Sequence, residues 1–185
     1  MRNIITSLVL VIITMLLVLP TKADATVKTP SATLDTLRVN YNASLKEQRI
    51  KVLQQYLEDY NSPMSTSAQT FVETAEENGL DWKFVASIAG VESTFGHHIP
   101  YNSYNGWGWG VYGDNVIRFT SWDEAITVIS QTLKKKYVDN GATDVYAIGR
   151  IYAADSNWAR KVKHFMTDIA QYEKTFTDKR LSISI

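Results

Sequence analysis

The chain has 185 residues, of which 45% are hydrophobic and 21% charged, a balance typical of a globular domain that can bury a core without disulfide bonds. It contains no cysteine, which excludes thiolate zinc sites and a thiol nucleophile, and its 19 basic residues offset 19 acidic ones. Because the chain has no net positive field, nucleic acid and anionic membrane surfaces are disfavoured as partners.

An uncharged apolar run lies near the N-terminus. It covers residues 4–19 and ends at Pro20, and the sequence Ala-Asp-Ala at 23–25 has the spacing of a signal-peptidase site. We interpret residues 1–25 as a cleaved signal peptide. The alternative is an uncleaved membrane anchor, because a spanning helix needs only about 20 apolar residues. Both interpretations predict export to the periplasm, the cell wall or the medium, with membrane contact only through residues 4–19 if they are retained.

A polar lead-in and six helical segments follow. Residues 26–42 are rich in Thr, Ser and Asn and lack a sustained apolar period, which predicts a linker. Apolar residues then recur at helical spacing, which predicts a helical domain over residues 43–176, and residues 177–185 form a tail. The predicted helices cover residues 43–60, 67–78, 82–95, 125–137, 145–153 and 157–176.

Polar and charged side chains mark several helix ends. Ser121 and Glu124 have the spacing of a capping box ahead of the fourth helix, and Asp144 can start the fifth. Three lysines at 134–136 lie near the end of the fourth helix, where positive charge suits the helix dipole. This explanation is sufficient for the lysines, so we assign them no functional role from the sequence.

The segment between the third and fourth helices has no helical period. Residues 98–119 hold many Gly, Asn and aromatic residues, and within them residues 111–119 predict a short hairpin around Gly113 and Asp114. The predicted fold class is therefore mainly α, with a short β-hairpin and an irregular aromatic and Gly-rich segment.

One acidic residue stands out at the end of the third helix. Steps of three and four residues from Val85 reach Ile88, Glu92 and Phe95, so Glu92 shares a helix face with apolar neighbours. Desolvation would raise the pKa of such a carboxyl toward the range that is useful to a general acid. The more common alternative is a Glu that points to solvent or pairs with a cation.

The aromatic residues that follow Glu92 suit a sugar. Flat apolar rings beside amide groups match pyranose rings, which stack through their C–H faces and need hydrogen-bond partners for their hydroxyl groups. The candidate substrate-binding residues are Tyr101, Asn102, Tyr104, Asn105, Trp107, Trp109 and Tyr112. Alternatively, some of these rings fill the core. An acid beside a sugar groove points to cleavage of glycosidic bonds.

Three stretches carry a resemblance to known enzymes. GLDWKFVASIAGVESTFG, residues 79–96, resembles the catalytic helix of the lysozyme-like superfamily. SWDEAI at 121–126 and IYAADSNWARKV at 151–162 resemble the bacterial glucosaminidase family, whose domain is also named after mannosyl-glycoprotein endo-β-N-acetylglucosaminidase. Members of that family carry the pattern Y-A-[ST]-D-x-x-[YW]-A-x-K-[IV]. The match runs from about residue 65 to 173.

The resemblance implies a function. A member of this family has an α-rich lysozyme-like fold and hydrolyses β-1,4 bonds at N-acetylglucosamine in peptidoglycan. By this resemblance Glu92 is the general acid and Tyr152 is the groove tyrosine that orients the substrate or stabilises the transition state. The implied partner is a peptidoglycan glycan strand, bound by a monomer without a cofactor.

The catalytic partner of Glu92 stays open at this stage. Hydrolases usually need a second carboxylate or help from the acetamido group of the substrate, whereas lytic transglycosylases need one acid only. Asp123, Glu124 and Asp155 are candidates, but the last two have helix-start roles, so Asp114 is preferred. Alternatives to a hydrolase are a lytic transglycosylase and a non-catalytic glycan-binding envelope protein.

Two further polar sites are assigned from the sequence. Ser93 lacks the surroundings of a serine nucleophile, and we expect it to form a hydrogen bond in the substrate site that helps to hold Glu92. His97 and His98 are adjacent and diverge, and His164 lies on a distant helix, so no metal site is predicted.

Overall fold

The structure is a computed structural model that describes residues 30–110 and 115–183, with side chains described for 33–110 and 115–178. The chain divides into two units, Met1–Arg38 and Val39–Ile185, and the second carries the features discussed below. Within the described residues the fold is mainly α, which confirms the predicted class. The helices are α1 (Pro30–Asp59), α2 (Ala68–Glu77), α3 (Phe84–Ser93), α4 (Trp122–Lys136), α5 (Val145–Tyr152) and α6 (Trp158–Ile183).

The first helix begins earlier than the sequence pattern indicates. It starts at Pro30, a residue that fits the first turn of a helix, and so includes most of the segment predicted as a linker. Residues 33–44 of this helix are exposed to solvent, so they need no apolar periodicity from which a helix could be predicted. The buried residues of this helix begin at Val52, within the range 43–60 that the sequence predicts as helical. The domain boundaries remain a prediction.

Helix α3 is the central element of the core. Every residue from Phe84 to Gly90 is buried, and the helix packs against α2, α4 and α6. A helix that is buried on all sides needs mainly apolar or small residues, as in the stretch FVASIAG, where Ser87 is the one polar residue. The apolar residues that recur at helical spacing in α2 and α4 are also buried; they are Phe71, Val72, Ala75, Ala125, Ile126, Ile129 and Leu133.

The end of α3 has an unusual backbone. Thr94, Phe95 and Gly96 all lie in the left-handed region, with φ angles of 51°, 54° and 88°. Left-handed geometry is rare for a β-branched residue such as Thr94 and persists only where the surroundings hold it. Here Phe95 is fully buried, and its ring packs so closely on Gly90 that a Cβ there would lie 2.7 Å from the ring. This packing ends the helix directly after Glu92 and Ser93.

The predicted short hairpin is not confirmed. Residues 111–114 lie outside the described residues, and residues 116–119 have no regular secondary structure. The predicted signal peptide or anchor at 1–25 also lies outside them. In the ranges 30–110 and 115–183, no helix is long and apolar enough to cross a bilayer.

Candidate active site

A cavity of about 640 Å³ opens beside the end of α3. Its wall is formed by Glu92 from α3, by the segment 107–110, by the C-terminal end of α4 and by residues 151–153 at the end of α5. A volume of this size is within the range that holds a small ligand. Most of its lining is aromatic or glycine, and Glu92 is the only acid among the described lining residues.

Glu92 projects into this cavity. Its helix-face neighbours Val85, Ile88 and Phe95 are fully buried, whereas the Glu92 side chain itself is open to solvent. Its Oε1 accepts a hydrogen bond of 2.7 Å from Nε1 of Trp158, which is buried at the start of α6. The carboxyl is thus held at one position on the cavity wall.

The surroundings of Glu92 favour its protonated form. Partial desolvation of the carboxyl by its apolar neighbours is the largest influence and raises the pKa of Glu92 above the ordinary value. The Trp158 hydrogen bond and the positive charge of Lys161 act in the opposite direction and limit the increase in pKa. The Glu92 side chain is therefore accessible to solvent, and it loses its proton at a higher pH than an ordinary glutamate does.

Tyr152 contacts both Trp158, the residue that binds Glu92, and the segment that carries Trp107. Its ring stacks on Trp158 with centroids 4.6 Å apart, and its hydroxyl donates a 3.1 Å hydrogen bond to the backbone carbonyl of Trp107. Gly149 permits the close approach of α5 and α6, because a Cβ there would lie 3.0 Å from the Trp158 ring. Burial, followed by the nearby charge of Glu92, raises the pKa of Tyr152, so the phenol stays neutral.

Ser93 and Asn105 lie inside the protein and stabilise the cavity wall. Ser93 Oγ is 2.8 Å from the Gly106 carbonyl and 3.0 Å from the Ala89 carbonyl, and it accepts a 2.9 Å bond from Gly96 N. Both side chains are buried. Their polar atoms are used within the protein, so neither is placed to bind a ligand directly.

Asn105 fixes the loop that carries Trp109. Its amide nitrogen donates to the carbonyls of Trp109 (2.7 Å) and Ile117 (3.0 Å), and its amide oxygen accepts from Trp109 N (2.9 Å). The Trp109 ring remains partly open and lines the cavity, with Lys136 Nζ 4.9 Å from the ring centroid. Of the predicted sugar-binding rings that the structure describes, Trp109 is the one whose partly exposed ring lines the cavity.

The other predicted aromatic and amide residues are not placed to stack on a ligand in the cavity. The Trp107 ring is buried, with its Nε1 donating a 3.0 Å bond to the Val85 carbonyl, so it contributes to the core. Tyr104 packs edge-on against Trp122 at 5.3 Å, while Tyr101 and Asn102 are exposed and do not line the cavity. Tyr112 lies outside the described residues.

The candidate second carboxylates do not meet Glu92 in the described part of the chain. Asp123 accepts a 2.7 Å bond from Thr70, and Asp155 pairs with Lys161 at 2.7 Å. Glu124 accepts bonds from both N and Oγ1 of Thr120, the residue before the helix N-cap, and these bonds lower its pKa. Asp114 lies outside the described residues.

The histidines do not gather into a cluster. A ring nitrogen of His97 lies 3.0 Å from the Tyr60 carbonyl, on the surface. Among the residues that the structure describes, no three His, Asp or Glu side chains are close enough to hold a metal ion.

The sequence interpretation gave no role to two residues that the structure places at the site. Trp158 binds Glu92 directly, and its signal was the aromatic position of the pattern that begins at Tyr152, six residues earlier. Lys136 lines the cavity although it belongs to a lysine run that the helix dipole explains. No feature of the sequence separates Lys136 from the two lysines before it.

Comparisons with known proteins place the fold. No protein-family model matches the chain, and no curated protein matches it in sequence. Two solved structures of Staphylococcus aureus autolysin E are similar: a catalytic mutant, with glutamate replaced by alanine, in complex with the disaccharide NAG-NAM (TM-score 0.58, 19% identity), and a complex with the muropeptide NAM-L-Ala-D-iGlu (TM-score 0.56, 20% identity). In each case 69% of this chain and 68% of the other are covered. The chain thus shares its mainly α fold with autolysin E, which supports the resemblance found in the sequence at the level of the fold.

Proposed function

We propose that this protein is an exported enzyme that cleaves β-1,4 glycosidic bonds of peptidoglycan at N-acetylglucosamine, with Glu92 as general acid. The observation that carries the proposal is the Glu92 carboxyl, held on the wall of an aromatic cavity by a buried tryptophan and surrounded so that its pKa is raised. A protonated carboxylic acid with solvent access beside a ring-binding surface is what acid-catalysed glycoside cleavage requires.

The proposed reaction starts with proton transfer from Glu92 to the glycosidic oxygen. The bond from this oxygen to the anomeric carbon then breaks, and positive charge develops on the sugar ring. Trp109 would support one face of the sugar. The Tyr152 hydroxyl, which stays neutral and is held by the Trp107 carbonyl, would orient the ring beside Glu92.

The second catalytic group separates two versions of the proposal. In a hydrolase, water attacks the anomeric carbon with help from a carboxylate or from the substrate's acetamido group. Asp114 remains the candidate carboxylate, and Gly110 and Ile117, on either side of residues 111–114, both line the cavity. In a lytic transglycosylase, a hydroxyl of the substrate attacks instead, and Glu92 alone would suffice.

The similar structures support a peptidoglycan substrate. Autolysin E was solved with NAG-NAM and with a muropeptide, and replacement of a glutamate made one of these proteins a catalytic mutant. A protein of similar fold with a glutamate on the wall of an aromatic cavity fits the same substrate class. The predicted signal peptide or anchor supports export. Export also agrees with the proposed substrate, because peptidoglycan lies outside the cytoplasmic membrane.

The decisive experiment is a peptidoglycan digest analysed by mass spectrometry, with Glu92→Gln as the matched control. We expect soluble fragments that end in a reducing N-acetylglucosamine and a loss of at least about a thousandfold in rate for Glu92→Gln, because the amide cannot supply the proton. Asp114→Asn in parallel should reduce the rate about a hundredfold if Asp114 is the second group.

Other products would change the proposal. Anhydro-muramyl ends, lighter by one water, would identify a lytic transglycosylase. Binding of glycan without fragments from either protein would leave a glycan-binding module and reject the enzyme.

A further inference from the structure

Lys136 differs from the two lysines that precede it. Lys134 Nζ pairs with Asp139 at 2.6 Å, and Lys135, which is exposed to solvent like Lys136, does not line the cavity that contains Glu92. Lys136 instead lies over the Trp109 ring, with Nζ 4.9 Å from its centroid, and lines the cavity that contains Glu92. One of three neighbouring positive charges is therefore directed to the candidate active site.

The ammonium of Lys136 forms no ion pair with a described carboxylate. The acids on neighbouring elements have other partners: Asp139 pairs with Lys134, and Asp155 with Lys161. Glu92 accepts from Trp158, and Lys161 is the cation that acts on it. The described contact of Lys136 in the cavity is a ring face, a weak interaction that an ammonium readily exchanges for a carboxylate ligand.

We propose that Lys136 binds a carboxylate on the muramic acid unit of the glycan and so sets the register of cleavage. This inference rests on the proposed function. The two sugars of peptidoglycan alternate, and N-acetylglucosamine is uncharged. The muramic acid unit carries either a free lactyl carboxylate or, through an amide, a peptide with its own carboxylates. Fixing the acidic sugar at Lys136 would determine which of the two kinds of β-1,4 bond reaches Glu92.

Lys136 has a purely structural alternative role, which is to support the Trp109 ring. Three substitutions separate the two roles. Lys136→Met keeps a long apolar chain against Trp109 and removes the charge, whereas Lys136→Arg keeps both the charge and the stacking. Lys135→Met is the matched control, because it makes the same change on the same turn of α4 at an exposed position.

The test measures binding by calorimetry in the Glu92→Gln background, so that no ligand is consumed. The probes are the disaccharide NAG-NAM with its lactyl carboxylate, NAM-L-Ala-D-iGlu with peptide carboxylates, and the neutral disaccharide NAG-NAG. We expect Lys136→Met to weaken at least one acidic ligand about tenfold, the size of one charge-assisted hydrogen bond, and to leave NAG-NAG within about twofold. Lys136→Arg and Lys135→Met should bind as the parent does.

The two acidic ligands identify which carboxylate Lys136 binds. A loss confined to NAG-NAM assigns the lactyl group, and a loss confined to NAM-L-Ala-D-iGlu assigns the peptide. With Glu92 intact, Lys136→Met should also release a mixture of reducing N-acetylglucosamine and reducing muramic acid ends from peptidoglycan.

Three results would overturn the inference. Equal weakening of acidic and neutral ligands would show that Lys136 only supports Trp109. Unchanged binding of all three ligands by Lys136→Met would exclude any role in recognition. If the parent protein binds none of the three, the inference fails together with the proposed function, whereas the first two results leave that function intact.

Discussion

The two aromatic walls of the cavity are built in different ways. The wall formed by residues 105–110 is fixed through its backbone: Asn105 binds both the N–H and the carbonyl of Trp109, and Ser93 contacts the Gly106 carbonyl. The wall formed by α5 and α6 instead contacts the acid through side chains, with Trp158 bonded to Glu92 and stacked on Tyr152. The first wall therefore contributes mainly to folding stability, and the second acts on the chemistry of Glu92.

The largest effect on stability is expected from the first wall. Asn105→Ala removes three hydrogen bonds at a buried position and leaves the Trp109 and Ile117 backbone groups unpaired. We expect a loss of about 2–3 kcal/mol in the free energy of unfolding, measured by urea denaturation. Gln131→Ala, at an exposed amide on α4, is the control and should change the unfolding free energy by no more than about 0.5 kcal/mol. Equal losses would contradict the difference between the walls.

A substitution in the second wall should affect activity more than folding. Trp158→Phe keeps an aromatic ring against Tyr152 but removes the donor to Glu92. We expect kcat/KM on peptidoglycan to fall about tenfold, because the carboxyl loses its fixed position. The same change at Trp122, which packs against Tyr104 away from Glu92, provides the matched control and should leave kcat/KM within about twofold.

Trp158→Phe should also move the pH profile. A general acid works while protonated, so the rate falls as the pH rises past the pKa of Glu92. The Trp158 hydrogen bond lowers that pKa, and its removal should raise it, which extends activity to higher pH. A high-pH limb that moves toward lower pH would contradict the assignment of Glu92 as the acid.

Lys161 should influence the same limb more weakly. Its positive charge is the last of the described influences on Glu92 and lowers the pKa, so Lys161→Gln should also extend activity to higher pH, by less than Trp158→Phe does. High salt should reduce the difference between Lys161→Gln and the parent, because it screens an exposed charge. Lys163→Gln, two residues further along α6, should leave the high-pH limb of the activity profile unchanged.

The smallest effect is expected at Tyr101. Its side chain is 91% exposed and does not line the cavity, so Tyr101→Ala should leave the unfolding free energy within about 0.5 kcal/mol and the binding of NAG-NAG unchanged. Trp109→Ala should weaken the same ligand about tenfold, because this ring lines the cavity. If Tyr101→Ala weakened binding as much as Trp109→Ala, the ligand would lie outside the cavity.

The helices were largely predictable because the spacing of apolar residues and the capping residues lie within or beside each helix. The apolar residues of α2 and α4 that recur at helical spacing are buried, as is every residue of α3 from Phe84 to Gly90. The start of α1 at Pro30 was not predictable from periodicity, because that part of the helix is exposed and needs no apolar face. The short hairpin predicted over residues 111–119 is not confirmed.

The sequence by itself determined the position of Glu92, since a carboxylate on an otherwise apolar helix face is visible within ten residues. Only the tertiary structure decided what surrounds it. Trp158 lies 66 residues away along the chain, Lys136 differs from Lys134 and Lys135 only in where its side chain points, and Asn105 became a structural residue through contacts with Trp109 and Ile117. Periodicity constrains the residues of one helix, whereas contacts between helices depend on how the whole core packs.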